Sequence, residues 1–306
     1  MSMSVVIEQS AISAAPATAG SIDHAVAAGR ECLERAGIAP GDIDVLVNVG
    51  VYRDGNVVEP ANSALIQLGL AMHLDYEAGS GRSTFSFDLR NGACGVLNAV
   101  HAATALLANG TAQRVLVVGS DAHPGGIAHQ PNDFRYATVG SAWLLSKGVD
   151  REAGFGPLRI SPVRGRAAGT NPGIAGYLDL KAMGNAGQQT ITVEVAPDYD
   201  TVITATAADT LRGYLAEQPE IVTGNTVLVT NNPVPGLASG LAAEFGFARG
   251  YQAMTGDRDA GSSGLAIAYH QLREQGALTP GTELVFLAAG SGPMAGCVRY
   301  RLEGAA

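Results

Sequence analysis

Apolar residues follow two periods along this chain, and the two alternate. Short, nearly continuous apolar runs predict strands at 4–8, 43–49, 84–89, 114–119, 141–146 and 158–162, then at 226–230, 283–288 and 296–301. Between them, apolar positions at helical spacing predict helices. The first spans 22–36, where Val26, Ala27, Cys32 and Leu33 oppose Arg30, Glu31 and Glu34, and Gly37 follows at the C-cap position. Further helices are predicted at 60–68, with Pro60 in the first turn, from near Cys94 to about Asn109, and at 201–215, 234–247 and 263–274. The run Arg-Val-Leu-Val-Val-Gly at 114–119 is apolar on both faces, the mark of a parallel sheet covered on both sides. Residues 163–188 are Gly-rich without a period and read as a seam.

The second half repeats the first. "DIDVLVNVG" followed by "EPANSALIQLGL" corresponds to "GNTVLVTNN" followed by "VPGLASGLAAEFGF". The stretch from Asn91 to Asp121 corresponds to that from Ala260 to Gly292. Such self-similarity implies a duplicated α/β unit, with halves at 1–165 and 166–306. The halves are expected to stack around two central helices that begin near Cys94 and Ser262.

Composition narrows the function. The 306 residues are 46% hydrophobic and 15% charged, enough for a large core. A formal charge of -9 argues against a nucleic-acid partner or an anionic membrane surface, and no apolar run is long enough to span a bilayer. The first residues lack a signal peptide's basic region and apolar run, so the cytoplasm is expected. Cys32, Cys94 and Cys297 are odd in number and widely spaced, which makes neither a disulfide framework nor a metal site. No phosphate loop or dinucleotide fingerprint is present, and no cofactor is expected.

The candidate chemistry centres on Asn91-Gly92-Ala93-Cys94-Gly95, a small-residue turn between the strand ending near Asp88 and the helix after it. A thiol at a helix N-terminus can be acidified by the free N–H groups there, or it can be a small packed residue. Glu59, next to Pro60, reads on its residues alone as an acid favoured in a helix's first turn.

The duplicated plan and this turn resemble the thiolase superfamily, specifically its ketoacyl synthase III branch and the olefin-biosynthesis thiolases, over most of the chain from about Ala36 to Leu302. The resemblance implies a five-layer αβαβα sandwich. It is carried by Asp88 at the strand end, by the turn itself and by Val117-Val118-Gly119-Ser120-Asp121. The family's nucleophilic Cys falls five residues after the Asp, on Ala93, and the present Cys is one residue late. The family's His position, counted back from Phe245-Gly246-Phe247, falls on Asn231. The family's Asn position, in Asp259-Ala260-Gly261-Ser262-Ser263-Gly264, falls on Asp259. The triad is thus replaced at Ala93, Asn231 and Asp259. Residues 10–20, Ala-rich and neutral, stand where relatives carry a coenzyme A-binding segment.

Glu59-Pro60 resembles the motif with which olefin-biosynthesis thiolases donate a base across the dimer interface. The resemblance therefore implies a non-catalytic subunit of a heterodimer. Its partner would be a catalytic thiolase-like chain with intact Cys, His and Asn, and the pair would condense two acyl thioesters without decarboxylation, with acyl-CoA as substrate. Paired subunits of this kind occur in β-lactone pathways of the lipstatin type. Dimerisation is expected through strand 114–120. One alternative is a stand-alone acyltransferase with Cys94 as nucleophile and His123 or His129 as base. Against it, the one-residue offset turns the side chain about 100° around the helix. The other alternative is a purely structural or regulatory subunit.

Overall fold

The computed structural model describes residues 4–55, 60–74, 83–130, 132–162, 174–177, 192–290 and 292–304. In chain order the elements are β1 (Val5–Ile12), α1 (Ser21–Ala36), β2 (Val45–Asn48), α2 (Asn62–Gly69), β3 (Phe85–Asp88), α3 (Gly95–Ala108), β4 (Arg114–Ser120), β5 (Gly140–Lys147) and β6 (Gly154–Pro162). There follow β7 (Ile174–Tyr177), β8 (Thr192–Val195), α4 (Tyr199–Glu217), β9 (Thr226–Thr230), α5 (Leu237–Phe245), β10 (Arg249–Gln252), α6 (Gly264–Glu274), β11 (Glu283–Gly290) and β12 (Met294–Arg301).

Two five-stranded sheets carry the fold, in the orders β1-β5-β4-β2-β3 and β10-β9-β11-β12-β6. The second order repeats the first under the internal duplication. In each sheet three neighbouring strands are parallel and the next is antiparallel to them. Helices α1 and α2 pack outside the first sheet, and α4 and α5 outside the second. Helices α3 and α6 lie between the sheets, α3 against β4, β5 and β12, and α6 against β1, β5, β9 and β10. The five expected layers are all present. The core runs through the middle layer, where the buried Trp143 of β5 meets Tyr269 of α6 at 5.7 Å and Phe286 of β11 at 5.4 Å. Helix α1 stops where the sequence indicated: Gly37 has φ +67°, a conformation open chiefly to glycine, and Ile38 N–H bonds back to Leu33 O.

Three expectations change. Strand 114–120 cannot dimerise, because β4 is hydrogen-bonded on both sides: Val117 pairs with Val47 of β2 and with Trp143 of β5. An apolar run covered on both faces marks an interior strand, which has no free edge to offer. The edge on that side of the first sheet is β3, whose Phe85 is 61% exposed. The seam between the halves also lies earlier than 165, since β6 crosses over to pair with β12 in the second sheet. Finally, α2 begins at Asn62 rather than at Pro60, and its first N–H groups are capped from outside: Asp88 accepts from Asn62 N at 3.0 Å and Ser63 N at 2.8 Å.

Candidate functional site

The turn between β3 and α3 is a single 3-10 turn, Gly92–Cys94, opened by Gly92 at φ +51°. Ala93 is buried and faces Gly290 at the end of β11. A Cβ on Gly290 would lie 2.9 Å from the Ala93 Cβ, so only glycine fits this approach. Cys94 points elsewhere. Its Sγ lies 3.7 Å from Ala288 O and 3.8 Å from Met294 O, and it is 1% exposed. Burial pushes its thiol up to about 12. The helix N-terminus that would acidify a thiol is present, but desolvation of the charged form outweighs it. The two candidate bases are engaged away from Cys94. His123 Nδ1 accepts from Gly125 N and its ring sits edge-on to Phe134 at 5.0 Å, while His129 Nδ1 is 3.2 Å from Gly125 O.

Asn231 follows β9 directly and is fully buried. Its side-chain amide pairs with the backbone of Ala289 in both directions: Nδ2 donates to Ala289 O at 2.8 Å, and Ala289 N donates to Oδ1 at 2.9 Å. The remaining Nδ2 hydrogen faces Asp259, with Nδ2 3.3 Å from Oδ2. The whole hydrogen-bonding capacity of the amide group toward a ligand's oxyanion is thereby taken up within the protein. Gly264, at the start of α6, packs so close that a Cβ there would lie 2.5 Å from the Asn231 Cβ.

Asp259 is buried and accepts from Asn231 Nδ2, Gly261 N at 3.2 Å and Asn232 N at 3.3 Å. Desolvation pushes its carboxyl up to about 7, those three donors pull against the shift, and the nearby Asp121 adds to it. The group is therefore protonated in the folded chain over a range in which it ionises when unfolded. Its contribution to stability is full below about pH 4, falls as pH rises from there, and is gone above about pH 7. The span corresponds to at most about 4 kcal/mol. Asp259→Asn keeps an acceptor for the same donors without the charge. It should match wild type near pH 4 and show the higher unfolding midpoint at pH 8. Equal midpoints at pH 8 in urea titrations would contradict this.

Asp121, which ends the Gly-Ser-Asp stretch after β4, ties the site together. Oδ1 accepts from Val51 N and Tyr52 N, both at 2.8 Å, and Oδ2 from Ser262 N at 2.9 Å and Ser262 Oγ at 2.7 Å. It thus joins the loop after β2 to the turn Gly261–Ser263 that opens α6. That turn packs against the turn bearing Ala93. Over it lies an aromatic cluster that the sequence analysis did not single out. Tyr52 stacks on Tyr136 with centroids 5.6 Å apart, and Phe134 stands edge-on to both. On the outer side of this cluster, a cavity of about 480 Å³ is lined by His123, Arg135 and Glu194 among others, and one of about 250 Å³ reaches Asp259 past Asn232 and Arg258. Arg135 is not free to receive an anionic ligand, since it pairs with Asp200, bonds Pro233 O and lies 4.9 Å over the Tyr199 ring.

The structure brings Ala93, Asn231 and Asp259 into one centre through the packed turns and the end of β11. Glu59 lies outside the described residues. Among the described residues no cluster of metal ligands occurs, and no helix is long and apolar enough to cross a membrane.

The architecture is the thiolase-type fold of ketoacyl synthase III and OleA. No family model matches the sequence. A curated β-ketoacyl-[acyl-carrier-protein] synthase III of Cereibacter sphaeroides is 34% identical over 99 residues, 32% of this chain and 27% of that protein, so the match spans only about a quarter of the relative. Among solved structures, Xanthomonas campestris OleA with bound lauric acid and lauroyl-CoA superposes with a TM-score of 0.72 at 17% identity, over 98% of this chain and all of that one. The 3-oxoacyl-(acyl carrier protein) synthase III of Pseudomonas aeruginosa gives 0.74 at 16% identity, over 99% of each chain.

Proposed function

We propose that this chain is the non-catalytic subunit of a thiolase-fold heterodimer whose partner carries the intact triad. The pair would perform a non-decarboxylative Claisen condensation of two acyl thioesters, with acyl-CoA as substrate and Glu59 as the base supplied to the partner's site. The observation that carries this reading is the state of the triad centre. A side chain without a nucleophilic atom stands at Ala93, and the Asn231 amide is bound on both sides by the Ala289 backbone. Acyl transfer needs a nucleophile to accept the acyl group and free donors aimed at the oxyanion. Here the first is absent and the second is occupied. Asp259, once ionised, would repel a developing enolate. The buried Cys94, with its thiol pushed up to about 12, gives no support to a separate acyltransferase site.

The open edge of β3 supports a docking role for that side of the first sheet, where a partner strand could extend the ladder. Phe85 would lie at this contact, its ring tilted against that of Phe87 with centroids 5.2 Å apart. Phe85→Asp is expected to abolish co-elution with the partner in size-exclusion chromatography while leaving this chain's own thermal transition within a few degrees of wild type.

The deciding experiment is intact-protein mass after incubation with a long-chain acyl-CoA, with and without the catalytic partner. An adduct on the partner alone, with condensation that requires this chain, is the expected result. A stable acyl adduct on this chain that is lost in Cys94→Ser would overturn the reading in favour of an acyltransferase. Condensation unaffected by Glu59→Gln would leave only a structural or regulatory subunit.

A further inference from the structure

β6 carries one residue more than its pairing with β12 accounts for. Leu158 lies opposite Val298 and Phe155 opposite Tyr300, so Gly156 and Pro157 together face Arg299. This is a β-bulge, and it has a consequence for direction. Residues three apart on a regular strand point to opposite faces. Here the surplus residue puts Phe155 and Leu158 on one face, that of Val298 and Tyr300, and both pack partly buried against the core of the middle layer. On α3, Leu97 comes so near β12 that a Cβ on Gly296 would lie 3.1 Å from Leu97 Cδ1. Between α3, β6 and β12 lies a cavity of about 400 Å³, walled by Leu97, Val100, Phe155, Leu158 and Val298. Among the described residues it shares no lining residue with the two cavities beside the aromatic cluster.

The lining defines what can enter. Among the described residues no carboxylate, ammonium or guanidinium group lines the cavity. The Thr104 hydroxyl is spent on Val100 O at 2.8 Å. That leaves His101, on the exposed side of α3, whose imidazole has no hydrogen-bond or ion-pair partner among the described residues. A polar molecule enclosed by these walls would give up water without compensation, whereas a hydrocarbon chain would gain by leaving water. The volume falls within the range of small-molecule sites. It is more than twice the ~150 Å³ that takes one benzene ring, which leaves room for a chain of about a dozen carbons. We propose that this cavity binds a medium-length fatty acid, with the alkyl chain between α3 and the bulge and the carboxylate outside, beside His101. The proposal stands apart from the heterodimer reading, since it uses neither the triad positions nor Glu59.

The test is calorimetric titration of the whole chain with octanoic, decanoic, lauric and palmitic acids, each below its micellar concentration. One site is expected, with affinity rising about fourfold per added CH₂ group and levelling off between lauric and palmitic acid as the cavity fills. Leu158→Trp, which puts a larger side chain into the cavity from the edge strand, should weaken lauric acid at least about tenfold. Thr104→Phe fills the cavity from α3 and serves if the first variant does not fold, as judged by its thermal transition. Val195→Trp, at the cavity of about 480 Å³ beside the aromatic cluster, should bind lauric acid as wild type does. His101→Ala should weaken it about fivefold, the worth of one hydrogen bond. Wild type without saturable binding would overturn the site, and loss of the catalytic partner in Leu158→Trp would then assign the cavity to a protein contact. Binding that survives the folded filling variant and is lost in Val195→Trp would overturn it equally. So would affinity that keeps rising through palmitic acid, the mark of partition onto exposed surface. Unchanged affinity in His101→Ala would overturn the placement of the carboxylate. These titrations use the chain alone, so their failure leaves the pseudo-subunit reading intact, whereas a covalent acyl adduct on wild type would overturn that reading and not this one.

Discussion

Glu59→Gln is expected to lower condensation by the assembled pair about a hundredfold or more, the loss typical when a positioned general base is removed. The amide has nearly the carboxylate's size but cannot take a proton. The acyl adduct on the partner's cysteine should therefore form at its normal rate, and the two chains should still co-purify. Carbon–carbon bond formation alone should fail. Measuring partner acylation by intact mass and keto-acid product by mass spectrometry separates these steps. Equal loss of both would mean that the substitution disturbs assembly, and retention of both would remove Glu59 from the chemistry. Glu59→Asp, which keeps the charge on a shorter arm, should recover part of the rate.

Asp121→Ala should be among the most destabilising single changes in the chain, by about 4 kcal/mol. Four donors converge on its carboxylate: the N–H groups of Val51, Tyr52 and Ser262 and the Ser262 hydroxyl. All four lie in the interior or near it, and each buried donor left without an acceptor costs about 1–3 kcal/mol, reduced where water enters the space left behind. The loss should appear as a lower urea midpoint with little change in slope. Asp121→Asn should fall between, since its single carbonyl oxygen can serve one pair of donors while its NH₂ opposes the other. A midpoint for Asp121→Ala within experimental scatter of wild type would mean that the loop after β2 is held by other contacts.

Much of the architecture could be read from the chain because its signals are local or repeated. The apolar run of β4, the helical spacing and C-cap glycine of α1, and the correspondence of the two halves each sit within short windows. Strand β10, Arg-Gly-Tyr-Gln, could not: it lies at a sheet edge, half exposed, and carries no apolar run. The dimerisation that the resemblance implied for strand 114–120 does not fit its place in the sheet, since its apolar run marks an interior strand and edge pairing needs an open one. At the site, counting from Asp88 located Ala93, counting back from Phe245-Gly246-Phe247 located Asn231, and the stretch 259–264 located Asp259, and the structure gathers them. What each does there was not legible. The amide of Asn231 meets Ala289 across 58 positions, and Tyr52, Phe134 and Tyr136 meet only because the first-half loops fold over the α6 turn. The Cys94 thiol illustrates the same gap, since a helix N-terminus is visible in sequence and the desolvation that overrides it is not.

The crossing of β6 into the second sheet has a consequence for how the molecule is made. β12 lies between β11 and β6, so β6 has no sheet to join until residues 294–301 are available. During synthesis the first sheet can be completed once β5 has emerged, while β6 waits for a partner supplied much later. Contacts between such distant positions form slowly, and an unpaired strand invites the wrong neighbour in the interval. Shortening the chain by its last strand would recreate that interval permanently, with both β6 and the flank of β11 left open to association.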